Sequence, residues 1–361
     1  MKLVTIRDVA KRAGVSTATV SHALNRTGRV SQRTHGVVMA TIRKLHYVPN
    51  IHARNLACAS SRTLGMIVSD IENPFFPEVI KGFERRAREQ GYDVILSDTN
   101  YNPALLKSAV ERMLEQKVRG VAIMASEADP RLIRPLVGRH VSVTLLDVGR
   151  VQKYVSKIEL GYKLGISRLL DHLYALGHRH IAFVGGKSAL KSNLARQQAY
   201  LDGMRALGLK PGPVLAGNLR FDGGLAAGST IATMDPMPTA VVAINDVTAI
   251  GVMRALARAG LNVPRDISVT GFDGTQFADC VTPSLTTADL RRELLGRMAA
   301  DALYDLATSS NHMGKKYSLI PKLKIGDSTA PPRAAMHIRV AKHAVEERKA
   351  MPASVGKKSA V

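Results

Sequence analysis

The chain has 361 residues, 45% of them hydrophobic and 22% charged, with no tryptophan and two cysteines. That length exceeds one comfortable core, so two or more folded units are expected; the lack of tryptophan argues against a carbohydrate surface built on exposed indoles, and no run of about 18 apolar residues spans a membrane. A net charge of +22 points instead to a polyanionic partner.

The excess charge is uneven. Residues 1–60 carry ten Lys and Arg against one acid, Asp8, and residues 331–361 carry seven against two. Cys58 and Cys280 lie far apart and form no metal-ligand pattern, and MKLVTIRDVAKRAG interleaves its charges with apolar residues instead of presenting a leader's apolar stretch. The expectation is a reduced, cytoplasmic protein without metal or cofactor.

In chain order, Ile6, Val9, Ala10 and Ala13 fall at helical spacing, with Thr5 and Asp8 placed as a capping box and Gly14 as a stop. Ser16 or Thr17 can cap a second helix that turns Val20, Ala23 and Leu24 inward. A third runs from Ser31 to about Leu45 and buries Val38, Ile42 and Leu45, with Gly36 weakening its first turn. Two short helices around a tight turn, then a third, predict an all-α helix-turn-helix domain. Such a domain lays its second helix in the major groove of double-stranded DNA. On that helix Thr17, Ala18 and His22 are placed to meet base edges. Thr5, Ser16, Thr19, Ser21, Asn25, Ser31 and Thr34 are short polar groups suited to phosphates.

The stretch TIRDVAKRAGVSTATVSHALN resembles the N-terminal signature of the LacI/GalR family of bacterial transcription repressors. The match continues through VPNIHARNLA (48–57) and, less strongly, to about Pro332. Thr17, Ala18 and His22 together are similar to the purine-repressor branch, a likeness that concerns DNA reading alone. By this resemblance, the segment after Pro49 folds on DNA as a hinge helix, pairs with its copy in a dimer, and wedges Leu56, with Ala53 on the same face, into the minor groove.

From residue 63 the pattern becomes β–α alternation. Apolar runs at 64–69, 93–98, 120–126, 141–147, 181–186, 240–246 and 267–273 read as buried parallel strands. The tempting motifs fail: VGGKS (184–188) has Ile181 where a phosphate loop needs glycine, no GxGxxG follows a strand, and no catalytic constellation can be placed, so an enzyme is not expected. His178 and His180 read as structural. What remains is a binding site, because Asp147, Asn245, Asp246 and Asp273 sit at strand ends where such sheets bind ligands.

The resemblance implies a core like a type I periplasmic binding protein: two doubly wound subdomains, crossed near 160, 290 and 322, with a small-molecule effector between them. It assigns Phe75, Phe76, Asp147, Arg196 and Asp273 to the effector, beside Asn245. The sequence departs from the family at Leu290, where glutamine is common, at Leu219, where an aromatic is usual, and in IELGYKLG (158–165), which lacks an Asp-Asn pair. Those losses disfavour a purine; acid and amide groups beside an arginine suit a sugar, sugar acid or similar metabolite. The expected division is a DNA-binding domain at 1–48, hinge and linker at 49–62, an effector-binding and dimerisation core at 63–330, and a basic, disordered tail at 331–361. One recognition helix needs a second copy to span a palindromic operator, and the tail shows no heptad repeat, so a homodimeric, ligand-responsive repressor is expected.

Overall fold

A computed structural model describes residues 4–25, 28, 30–47, 61–186 and 190–333. They fall into two compact units that part between Ser61 and Arg62. The first unit holds α1 (Ile6–Ala13), α2 (Thr17–Asn25) and α3 (Gln32–Lys44). Each helix begins where the sequence supplies a cap. Thr5 and Asp8 form the reciprocal box, with the Thr5 N–H donating to Asp8 Oδ2 at 2.8 Å. Ser16 Oγ accepts from the Thr19 N–H at 3.1 Å, and Ser31 Oγ from the Thr34 N–H at 3.2 Å. Such caps contribute about 1 kcal/mol each. Gly14 ends α1 at φ +68°, the left-handed conformation that glycine adopts without a Cβ penalty. Val9, Ala10, Val20, Ala23, Val38 and Ile42 make the small core, with Leu24 and Leu45 packed half-buried against it. Gly36 faces open space, and α3 runs through it unbroken.

The second unit is α/β. Its chain order begins β1 (Thr63–Val68), α4 (Phe75–Glu89), β2 (Asp93–Asp98), α5 (Pro103–Glu115) and β3 (Gly120–Met124). A 3-10 turn (Pro130–Ile133) then leads into α6 (Arg134–Gly138), β4 (Ser142–Leu146) and β5 (Val155–Leu160). There follow α7 (Tyr162–Ala175), β6 (Ile181–Val184), α8 (Lys191–Ala206), β7 (Val214–Leu215), α9 (Phe221–Ala232) and β8 (Ala240–Ala243). The last elements are α10 (Asp246–Arg258), β9 (Ser268–Asp273), α11 (Phe277–Cys280), β10 (Thr286–Asp289), α12 (Arg292–Thr308), β11 (Lys316–Leu319) and β12 (Lys322–Lys324).

The strands form two six-stranded sheets, β11-β5-β4-β3-β1-β2 in a first lobe and β12-β10-β9-β8-β6-β7 in a second. Neighbouring strands are parallel, apart from β12 against β10. Both sheets are doubly wound, with the order reversing at β1/β3 and β6/β8; ligands enter such sheets at the carboxyl ends beside those points. The seven apolar runs all form strands, and six are buried because helices cover both sheet faces; β2, at the edge of its sheet, is instead half-buried with Asp93 and Asp98 exposed. β5, β7, β10, β11 and β12 were not foreseen; they are short or alternate in burial.

The chain passes between lobes after Leu160, after Asp289 and between Leu319 and Lys322. These passages touch. The Gly161 N–H donates to the Leu319 carbonyl at 2.9 Å, Arg168 donates to the Pro321 carbonyl, and Arg291 Nη2 makes a long 3.5 Å bond to the Ile320 carbonyl. After the second passage α12 packs on α4 of the first lobe. Their backbones meet at Gly82 and Gly296, where an added Cβ would stand 2.1 Å from the Glu293 carbonyl oxygen and 2.0 Å from that of Val79. His178 is buried as a structural residue: its ring bonds Thr239, Ser268 and the Ala330 carbonyl, and burial pushes its pKa down to about 4. Among the described residues no helix is long and apolar enough to cross a membrane.

Candidate functional site

Two regions collect the residues singled out from the sequence. In the first unit Thr17, Ala18 and His22 stand exposed on one face of α2. Gly28, at φ +82°, lies so close to the His22 ring that a Cβ there would come within 2.9 Å of Nδ1. Ser16 is exposed, Thr19 and Ser21 are half-buried, and Asn25 is the last residue of the helix. Thr5, Ser16 and Ser31 are the caps described above. Their hydroxyls also bond within the caps: Thr5 Oγ1 donates to Asp8 Oδ2 at 2.7 Å, and the pairs Ser16–Thr19 and Ser31–Thr34 lie at 2.9 and 2.8 Å. Arg7, Lys11, Arg12, Arg33, Arg43 and Lys44 are exposed, while Asp8, the one acid among residues 4–47, is held in its capping box. These exposed cations, with one acid among them, give the unit a positive surface of the kind that attracts a polyanion. Ala53 and Leu56 lie outside the described residues.

In the second unit a cavity opens between the lobes. Its volume is only about 40 Å³, so the site is narrow. Phe75, Phe76, Arg196, Asn245 and Asp273 line it together. The NPFF segment presents its rings through local structure: Asn73 Oδ1 accepts from the Phe75 N–H at 3.0 Å, Pro74 stands at the position before α4, and the two rings pack edge to face at 5.0 Å. Arg196 reaches in from α8. Its Nη1 donates to the Ile244 carbonyl at 2.6 Å and its Nε to that of Ser192 at 3.3 Å, and the guanidinium lies 4.7 Å from the Tyr162 ring centre and 5.3 Å from that of Phe272. Asp273 Oδ1 is 3.8 Å from Arg196 Nη1. Burial pushes the Asp273 carboxyl up to about 8, against the pull of Arg196.

The backbone of Asp273 is strained, at φ +113°. Such a conformation costs on the order of 1–3 kcal/mol and persists where surrounding bonds hold it. Here its carbonyl accepts from the Leu290 N–H and from Arg292, whose Nη2 also bridges both Glu78 oxygens at 3.0 Å. One buried arginine thus ties the cavity's carboxylate residue to α4, the helix that begins with Phe75. Asn245 caps α10 by accepting from the Thr248 N–H at 2.8 Å and holds the Leu219 carbonyl through Nδ2 at 2.9 Å.

Asp147 does not line this cavity. Its carboxylate accepts from the Leu160 N–H at 2.8 Å and from the Tyr162 hydroxyl at 2.7 Å, and Tyr162 lines the cavity in its place. Asp246 is likewise consumed by Thr275 and Thr287. Leu219 and Leu290 both line the cavity as apolar walls. Tyr162 and Tyr101, which both line the cavity, were missed in the sequence; the only signal was that Tyr162 falls in the atypical loop IELGYKLG. Arg220 was missed as well. It precedes α9 in the second lobe and crosses the cleft to Asp70 at 2.9 Å, Glu72 at 3.1 Å and Asn100 at 3.2 Å in the first. Among the described residues no group of three or more His, Cys, Asp or Glu could hold a metal ion.

Comparison with known proteins places both regions. The profile for bacterial regulatory proteins of the lacI family matches residues 5–50, and that for a periplasmic binding protein-like domain matches residues 170–329. The HTH-type transcriptional repressor PurR of Vibrio vulnificus is 33% identical over 334 residues, covering 90% of this chain and 98% of the relative. A structure of the lac repressor dimer bound to operator and an anti-inducer is 29% identical at a TM-score of 0.80, over 91% of this chain and all of that one. A LacI family regulator from Enterococcus faecium with bound ribose is 25% identical at a TM-score of 0.68, over 74% of this chain and 99% of that one. The chain, with its helix-turn-helix head and periplasmic-binding-like core, therefore belongs to the LacI family and is a ligand-responsive, DNA-binding transcriptional regulator.

Proposed function

We propose that the chain is a repressor acting in the cytoplasm as a homodimer, holding a palindromic operator through two heads, with a sugar, sugar acid or similar hydroxylated metabolite in the core cavity. The observation that carries this reading is the cavity's two-sided lining. Phe75 and Phe76 come from the first lobe and Arg196, Asn245 and Asp273 from the second, so a ligand touching both binds open and closed forms differently and shifts their balance. Arg196 and the Asp273 carboxyl supply donors and an acceptor for hydroxyls or an acid group, and the phenylalanines supply an apolar face. Asp147 acts through Tyr162, fixing its hydroxyl. A purine fits less well: Leu219 and Leu290 offer neither a stacking face nor a polar partner for ring nitrogens. The ribose-bound relative supports the sugar reading.

In the head, Thr17, Ala18 and His22 are assigned to base edges. Thr5, Ser16, Thr19, Ser21, Asn25, Ser31 and Thr34 are assigned to phosphates, and Leu56 with Ala53 to the minor groove. The test is a footprint of the full chain on genomic DNA at near-physiological salt, where nonspecific binding by so basic a protein is suppressed. The recovered site is then titrated with pentoses, hexoses, sugar acids and purines. A few palindromes whose occupancy responds to a sugar or sugar acid are the expected result; diffuse binding, or a response to purines alone, overturns the proposal.

A further inference from the structure

A second pocket, of about 380 Å³, lies between the lobes and has no part in the roles above. Arg131 and Arg134 reach it from the segment after β3, Gly149 and Arg150 from the loop after β4, and Lys191 from the first residue of α8. These are carboxyl-end loops of both sheets, so the pocket straddles the lobes at the place where α/β sheets take ligands. Its charge is one-sided. Arg131 pairs with Asp129 at 2.6 Å, but among the described residues no carboxylate lies within 4 Å of Arg134, Arg150 or Lys191. Asp129 is held below the usual carboxylate range mainly by Arg131, and Lys191 joins the arginines by lining the same pocket from the other lobe. Four cations against one carboxylate repel one another unless an anion joins them. A smaller pocket links this one to the central cavity, sharing Lys191 with the one and Tyr162 and Ser192 with the other.

We propose that this second pocket is an oxyanion site for a phosphoryl group, carried either by the cleft ligand itself or by a separate phosphorylated molecule. Arginine forks suit phosphate oxygens, and an anion held by Lys191 of one lobe and the arginines of the other pins the cleft closed. The first source rests on the sugar reading above; the site itself does not. Binding of pyrophosphate to the full chain at fixed ionic strength tests the site, by calorimetry on the wild type, R134A/R150A, K191A and a control, K210A/R254A, that removes two exposed cations from the second lobe. Binding weakened at least tenfold in the first two variants and retained in the control is expected. Equal binding in all four, or equal loss in the control, overturns the proposal. Ribose and ribose 5-phosphate then name the source: competition between ribose 5-phosphate and pyrophosphate assigns the phosphoryl group to the cleft ligand, and ribose binding strengthened by pyrophosphate assigns it to a second molecule. Failure of ribose and ribose 5-phosphate to bind, with pyrophosphate binding intact, rejects ribose as the cleft ligand and leaves the site standing.

Discussion

The head and the core solve opposite recognition problems. The head keeps its candidate reading groups on the outside, and its short hydroxyls cap the helices, so folding alone already fixes its exposed polar face. The core buries an arginine and a carboxyl group in a narrow cavity and supports them with a strained backbone, two carbonyls and aromatic rings. A polyanion needs an exposed, preformed surface whose strength depends on salt. A small molecule that must move two lobes needs buried, directional groups, because only there do contacts differ strongly between open and closed states.

The largest expected effect separates the two outright. Arg196→Ala removes a buried cation that bridges the Ile244 and Ser192 carbonyls beside Asp273, and should weaken cleft-ligand binding about 100-fold or more while operator affinity without ligand stays within a few-fold. Equal losses in both assays would mean that the core supports the head's DNA affinity directly. Next, His22→Ala should lower specific operator affinity by about 5- to 100-fold with nonspecific affinity and ligand binding unchanged, the scale of one base contact. A uniform loss on all sequences would move His22 to the phosphates.

Arg220→Ala sharpens the comparison inside the core. Its partner Asp70 is buried, so the lost clasp should favour the open cleft and weaken ligand binding about tenfold or less, without touching the head. Small-angle scattering of the free protein would register the opening; unchanged curves and affinity would reduce the clasp to a surface pair. The smallest effect is on pH. The Asp273 carboxyl lies at about 8 in the fold, above its range in the unfolded chain, because burial disfavours the charge. The folded state therefore retains a proton that the unfolded chain sheds. That contribution is fully present below about pH 4 and is lost as pH rises through about 8. The melting temperature of the wild type should fall by a few degrees relative to Asp273→Asn between pH 5 and pH 9; parallel curves would show that Arg196 keeps the carboxylate ionised throughout.

The same contrast governs what could be read in the sequence. The head's caps and stop rest on residues three or four apart, and each helix repeats its inward residues at short spacing, so Thr5 with Asp8, Ser31 with Thr34, and the inward Val20 and Ala23 were all visible in local spacing. The buried inner strands of the core were equally plain, as apolar runs. The strands at the lobe passages were not: β10, β11 and β12 are three or four residues long and owe their pairing to distant partners. The cavity was partly legible, since strand ends in such sheets converge whatever their neighbours. Which group each strand-end acid meets was not, because Asp147 finds Tyr162 in the next element and Asp246 finds Thr275 and Thr287 across the sheet. Arg220 depends on three residues more than 100 positions away, and no local pattern marks such a contact.

The three adjoining passages between the lobes carry a mechanical consequence. A single tether would let the lobes swivel in any direction, and two would still permit a twist. Three segments bonded to one another along one edge leave essentially one soft motion, a swing like that of a door on its hinge line. Every ligand that closes the cleft must then drive the first lobe along the same arc, whatever its chemistry. Ligands could therefore diverge through evolution by changing the lining alone, while the closing motion of the lobes stayed the same.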